Sequence, residues 1–280
     1  MSTLETRHTD VAPDHDRLSF GRVMRSEFIK ITSLRSTVGL LLAIVALGMG
    51  TSVILGLTIK DAGLPSAASV GFMLDQVTIG TVLFGQLIAG VLGVLVISAE
   101  YSSGTIQTTL IAVPSRLAVL FAKAIVLFLS VAAAASVALF GSWAVTYPML
   151  AAYGLEIGLT EPGVVLALVG GAVYVGFAAV LGLGIGTLLR AVAAGVATVI
   201  SVILLLPIIL SVIPASDVVR SIHLLSMSKA GDALTNTADG TAFVDLADGY
   251  VSPAAGLLIA AVWALAFLVI GAVRLRKKDA

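Results

Sequence analysis

The sequence predicts an all-α integral membrane fold of six transmembrane helices, with N- and C-termini cytoplasmic and an amphipathic interfacial elbow helix in front. Three observations carry this reading. First, six long runs (38–59, 77–99, 124–147, 163–189, 191–215 and 254–273) contain no Asp, Glu, Lys or Arg. Each has about 20 residues or more, and at ~1.5 Å per residue such a helix spans the ~30 Å hydrocarbon core of a bilayer. Second, the chain is 59% hydrophobic and 11% charged, whereas soluble domains run at about 45–50% and about 25%. Third, the charges are distributed unevenly along the chain, although they sum to zero.

Basic residues flanking membrane helices stay in the cytoplasm. With the N-terminus inside, Arg7, Arg17, Arg22, Arg25, Lys30 and Arg35 fall on that side, joined by Arg116 and Lys123 between spans 2 and 3 and by Arg190 between spans 4 and 5. The tail adds Arg274, Arg276, Lys277 and Lys278, which makes thirteen of the sixteen basic residues. Only Lys60, Arg220 and Lys229 face outward, against nine acids.

Element by element, residues 1–16 are polar, carry Pro13 and lack a periodic apolar pattern, as expected of a disordered cytoplasmic tail. The some 37 mostly polar residues ahead of span 1 do not read as a cleaved signal. In 17–36, Phe20, Met24, Phe28, Ile31 and Leu34 recur at steps of three and four, while Arg22, Arg25, Ser26, Lys30 and Ser33 take the other face. That pattern suits a helix lying in the inner headgroup layer. The six-span domain then occupies 37–274, and a basic cytoplasmic tail occupies 275–280. Gln86 inside span 2 needs a partner, and a hydrogen bond to another helix is the expected one. Span 4 holds Gly170, Gly171, Gly176, Gly182, Gly184 and Gly186, which permit close helix–helix approach. Pro207 predicts a kink or early stop near the outer end of span 5, and Pro148 and Pro162 bracket an acidic external loop. The last external segment, 216–253, opens with Val219, Ile222, Leu225, Ala230 and Leu234. A short helix folded on the outer membrane surface fits that spacing, and so does a loosely ordered loop.

Several chemistries are missing. There are no cysteines, and the three histidines (His8, His15 and His223) lack metal-ligand spacing. No paired carboxylates lie within a span, where ion-coupled transporters and intramembrane proteases place them. The pattern GxxxxGK[ST] is absent, so the chain has no P-loop of its own. Catalytic, cofactor-binding and metal residues are therefore not expected, and energy for uphill movement would have to come from a partner.

Such energy could enter at the internal segment 100–123, EYSSGTIQTTLIAVPSRLAVLFAK. Ser103, Gly104 and Thr105 form a turn with helix-capping oxygens, Ile106, Leu110 and Ile111 offer one apolar face, and Pro114 stops it. Such a piece is either a short lever across the ends of two spans or a solvated connector. The basic amphipathic stretch 25–37, a first span, and a second span ending in Glu100, Gly104, Thr105, Leu110, Pro114, Arg116 and Lys123 (E-x₃-GT-x₄-L-x₃-P-x-R-x₆-K) resemble the membrane subunit of ABC-2-type exporters.

The resemblance covers essentially the whole chain. It implies that these seven residues belong to the coupling helix against a separate ATP-binding cassette subunit, and that Phe20, Met24, Phe28, Ile31 and Leu34 belong to the elbow. It further implies a permease subunit of an ATP-driven exporter in the cell (plasma) membrane. The partners would be the lipid bilayer, an ABC ATPase and a second or related permease copy, with ATP and Mg bound by the ATPase and no nucleic acid involved. Two rival readings keep the topology. A membrane-embedded sensor or immunity component would bind a peptide or lipid without pumping. A channel would need a polar stripe along one span, and beyond scattered Ser and Thr the sequence shows none.

Overall fold

The computed structural model describes residues 19–62, 70–102, 116–214, 216–237, 244–245 and 249–277. Helix α1 (Phe20–Ser33) ends at Leu34, whose extended backbone (φ −81°, ψ 114°) turns the chain sharply into α2 (Arg35–Ala62). Next come α3 (Val70–Ser102), α4 (Arg116–Ala151), α5 (Val164–Leu189) and α6 (Val192–Val212). Two short helices follow, α7 (Asp217–Leu224) and α8 (Met227–Thr235). A two-residue antiparallel pairing of Val244–Asp245 with Tyr250–Val251 leads to α9 (Pro253–Lys277). Helices α2, α3, α4, α5, α6 and α9 are the six long and apolar enough to cross a membrane.

The helices outrun the uncharged runs that predict them. α4 starts at Arg116, before the run 124–147, and continues through Pro148 to Ala151. The absence of charge marks the lipid-facing length, whereas a helix persists as long as its backbone is satisfied and its side chains have partners. Pro148 does not open the loop as its sequence position suggests. In the last turn it forfeits only its own hydrogen bond, and Trp143 Nε1, donating to the Ile157 carbonyl at 2.8 Å, pins the following loop back on the helix.

α5 is the central helix, packed against α3, α4, α6 and α9, and nearly all of it from Gly170 to Thr187 is buried. Its glycines make that possible. A Cβ at Gly182 would stand 2.0 Å from the Gly90 carbonyl oxygen of α3. One at Gly184 would stand 2.5 Å from the Phe267 carbonyl carbon of α9. Backbones touch at both sites, which is the close approach expected of small residues in membrane bundles. Hydroxyls inside the spans mostly donate to carbonyls of their own helix. Ser52 also crosses to the Val77 carbonyl at 2.9 Å, joining α2 to α3. Pro207 is accommodated by widening α6 into a π-helical turn over Ser201–Leu205 just before it.

Of the two readings of the segment after α6 the helical one holds, as two short helices rather than one. α7 and α8 are capped by the hydroxyls of Ser216 and Ser226, each accepting from a backbone N–H at 3.3 Å. α8 does not lie on an outer surface. It packs into the bundle against α5 and α9, with Ala230, Ala233 and Leu234 buried and Gly231 against the Tyr174 ring. Trp263 Nε1 of α9 donates to the Leu225 carbonyl at 2.8 Å and fixes the α7–α8 corner. Small residues on α8 let it approach α5 closely, which an amphipathic spacing rule does not register.

Candidate functional site

Two polar features stand out, one at each end of the bundle. The first joins α1, α3 and α4. On α1 the buried residues are Val23, Glu27 and Ile31, one turn apart, so an acid sits in the middle of the face packed on α4. Val23 meets Val119 and Ala122 of α4 in a small dry cluster. Beside it four charges alternate in a ring. Lys30 Nζ donates to Glu27 Oε1 at 2.7 Å and to Glu100 Oε1 at 3.1 Å. Lys123 Nζ donates to Glu100 Oε1 at 2.8 Å and to Glu27 Oε2. The ring is neutral, two carboxylates against two ammoniums. Glu27 and Lys123 are each 2% exposed and Glu100 13%, while Lys30 remains 36% exposed at the rim.

Burial alone would pull the Lys30 ammonium below the usual lysine range. The hydrogen bond to Glu27 and the charges of Glu100 and Glu27 outweigh it and hold the group above that range. A buried ring of this kind contributes little net stability against an apolar replacement, but it fixes one geometry, because losing one of its buried members strands a charge.

Of the predicted coupling residues, the structure therefore brings Glu100 and Lys123 into direct contact. Gly104, Thr105, Leu110 and Pro114 lie outside the described residues, and of Arg116 only its place at the start of α4 is described. Of the predicted elbow residues, Ile31 is buried and Met24 partly so, whereas Phe20, Phe28 and Leu34 are exposed on the protein surface. Met24, Arg25 and Phe28 border an apolar groove of about 370 Å³ against Val126, Leu129 and Ala133 of α4. Sequence reasoning missed Glu27, the one acid in an otherwise basic α1. Its spacing of three residues from Lys30 was the available signal.

Arg190 closes α5 in the left-handed conformation (φ 59°), its guanidinium 5.1 Å above the Tyr101 ring. Gly271 of α9 lies against Thr187, so the ends of α5 and α9, with Arg190, Arg274 and Arg276, share the end of the bundle that holds the ring.

The second feature is a cleft of about 430 Å³ at the opposite end, between α3 and α8. One face of α3 lines it with Asp75, Thr78, Ile79, Val82, Leu83 and Gln86, spaced as a helix presents one side. From Asp75 to Gln86 this face descends about 16 Å at ~1.5 Å per residue, to the middle of α3. Opposite stand Ser228, Asp232 and Thr235 of α8. At the floor Gln86, 4% exposed, accepts a hydrogen bond from the fully buried Tyr174 hydroxyl of α5. This is the inter-helix partner its sequence position demands. Asp232, its side chain 62% exposed at the cleft, is shifted above the usual carboxylate range by partial desolvation and by the Asp75 charge, with Lys229 and His223 pulling the other way.

Taken together, these observations define a multi-span helical membrane protein, with buried charge pairing at one end and a polar cleft entering from the other. Residues 22–280 match the ABC-2 family transporter protein family, and the chain belongs to it. A comparison with curated proteins returned no match.

Proposed function

We propose that this chain is the permease subunit of an ATP-driven exporter in the plasma membrane. It forms the translocation path, as two copies or with a related permease, and is driven by a separate ABC ATPase subunit that binds ATP and Mg. The observation that carries this reading is the Glu27–Lys30–Glu100–Lys123 ring. It clasps both flanks of the segment 103–115 and ties them to α1, so a force on that segment moves α3, α4 and α1 as one body. In this reading the ring lies at the cytoplasmic end, with both termini inside and α1 in the inner headgroup layer, and the gathering of basic groups supports it. Closure of the ATPase pair would push the segment 100–123 and switch access between two packed states. Apolar side chains left exposed along α2 and α6, such as Leu42, Ile54, Leu57 and Val212, suit lipid and a second copy.

The test uses the absence of cysteines. A single cysteine replacing Ser103 is expected to react with an impermeant maleimide only from the cytoplasmic side. Glu100→Ala and Gly104→Trp should leave membrane insertion and ATPase co-purification intact while abolishing ATP-driven transport. Labelling from outside, or full transport in both variants, overturns the proposal. Ligand binding with no ATPase ever co-purifying would favour a sensor instead.

A further inference from the structure

The α3–α8 cleft is not explained by coupling, and its chemistry is specific. Asp75, on the first turns of α3, has no cationic partner among the described residues. Asp232 lines the cleft with it, close enough for the Asp75 charge to raise the cost of ionising Asp232. Its nearest cation, Lys229 Nζ, stands 3.9 Å away, one turn earlier on the same helix. Below them, Thr78 is 2% exposed, lines the cavity and makes no hydrogen bond among the described residues. A hydroxyl in a helix ordinarily donates to the carbonyl four residues back, as Thr51, Thr58, Thr146 and Thr187 do here. Thr78 thus adds to the cavity wall a hydroxyl that no carbonyl of its own helix engages, available to a ligand or to water. Gln86 spends its oxygen on Tyr174 and keeps its amide N–H₂ at the floor.

Between these polar groups the wall is apolar: Val82 is buried, while Ile79 and Leu83 are 47% and 39% exposed along the open side. The cleft therefore has an acidic mouth, an apolar flank open sideways and a hydrogen-bonding floor near mid-membrane. A small metal ion would need oxygen ligands converging on one point, whereas these acids sit at the mouth of a cavity of about 430 Å³. A cation with an apolar body satisfies every wall. Its positive charge relieves the repulsion between the two carboxylates, and its body covers the aliphatic flank.

We infer that the cleft between α3 and α8 is a binding subsite for amphiphilic organic cations. The charge is held between Asp75 and Asp232, and the apolar body lies along Ile79, Val82 and Leu83. The inference rests on the permease reading, since it names the class of molecule that the path accepts from or delivers to its outer half.

The test is equilibrium binding of tetraphenylphosphonium to the purified full chain in detergent without any ATPase, with empty micelles subtracted and the anionic isostere tetraphenylborate in parallel. Asp75→Asn and Asp232→Asn should each weaken tetraphenylphosphonium binding roughly five- to tenfold, the worth of about 1 kcal/mol or slightly more per partly wet charge contact. The double variant should bind it no better than tetraphenylborate is bound by the native chain. Asp217→Asn, an exposed carboxylate on α7 outside the cleft, should change nothing, and monodisperse elution shows that each variant is folded. Retention of tetraphenylphosphonium affinity within twofold in the double variant, or equal binding of the anion by the native chain, overturns the subsite. Because no ATPase is present, binding without ATP-driven transport would sink the permease reading alone. Transport with charge-blind binding would sink the cleft alone.

Discussion

Replacing Lys123 with methionine keeps an unbranched side chain one atom shorter and removes one ammonium from a site that is 2% exposed. The ring then holds Glu27 and Glu100 against Lys30 alone, and its net charge changes from zero to −1. Glu27 Oε2 loses its only cation in the ring, because Lys30 binds Oε1. Breaking a buried pair by deleting one partner costs about 3–5 kcal/mol. At ~1.36 kcal/mol per tenfold, the docked arrangement of α1 on α4 becomes less populated by a factor of roughly 10² to a few times 10³. Lys30→Met removes the same charge from the rim, where 36% exposure lets water replace it, and should cost no more than about 1 kcal/mol. Pairing Lys123→Met with Glu27→Gln restores neutrality and should recover most of the loss. The assay is hydrogen exchange of the α1 amides in nanodiscs, with thermal survival by size exclusion as a second readout. Lys123→Met should release α1 while the spanning helices stay protected. If Lys123→Met and Lys30→Met behave alike, or the double variant is as loose as the single, the ring does not hold α1 and the reasoning fails.

Other expectations concern separate parts of the molecule. Lys30 is held above its unfolded value of 10.5, so its contribution is complete below that pH and is lost as pH rises through the higher folded value. Exchange of α1 amides, corrected for intrinsic rates, should therefore be flat from neutral to mildly alkaline pH and rise only beyond about 10.5. Gly182→Ala drives a methyl to 2.0 Å from a backbone carbonyl, whereas Gly50→Ala meets nothing within 4 Å. The first should lower thermal stability by about 1–3 kcal/mol and the second should not lower it, read as melting shifts of the purified protein. Tyr174→Phe leaves the Gln86 carbonyl oxygen buried without its donor and should cost about 1–3 kcal/mol in the same assay. Recovery is expected when Gln86 is also made Leu.

Much of the architecture was legible because lipid is a demanding solvent. A stretch that cannot hydrogen-bond to water must close its own backbone and exclude charge, so 163–189 announced α5 (Val164–Leu189) almost to the residue. The ends were less legible. Pro148 read as a boundary and is not one, and the depth to which α8 packs against α5 and α9 was not readable from its spacing. In both cases the deciding energy comes from a contact distant in sequence, the Ile157 carbonyl for the first and the Tyr174 ring against Gly231 for the second.

The sites divide in the same way. Composition and spacing alone determined that this chain carries six stretches long and apolar enough to cross a membrane, where its basic residues gather, and that Glu100 and Lys123 bracket a distinctive connecting segment. Tertiary structure alone decided that those two side chains meet, that Glu27 and Lys30 complete a neutral ring around them, and that Asp75, Thr78 and Gln86 share a cleft with Asp232. The physical reason is range. Transfer of a residue into lipid is a local quantity summed along the chain. The pairing of buried charges and the shape of a void depend on which helix faces come together, and glycine-permitted packing around α5 sets that.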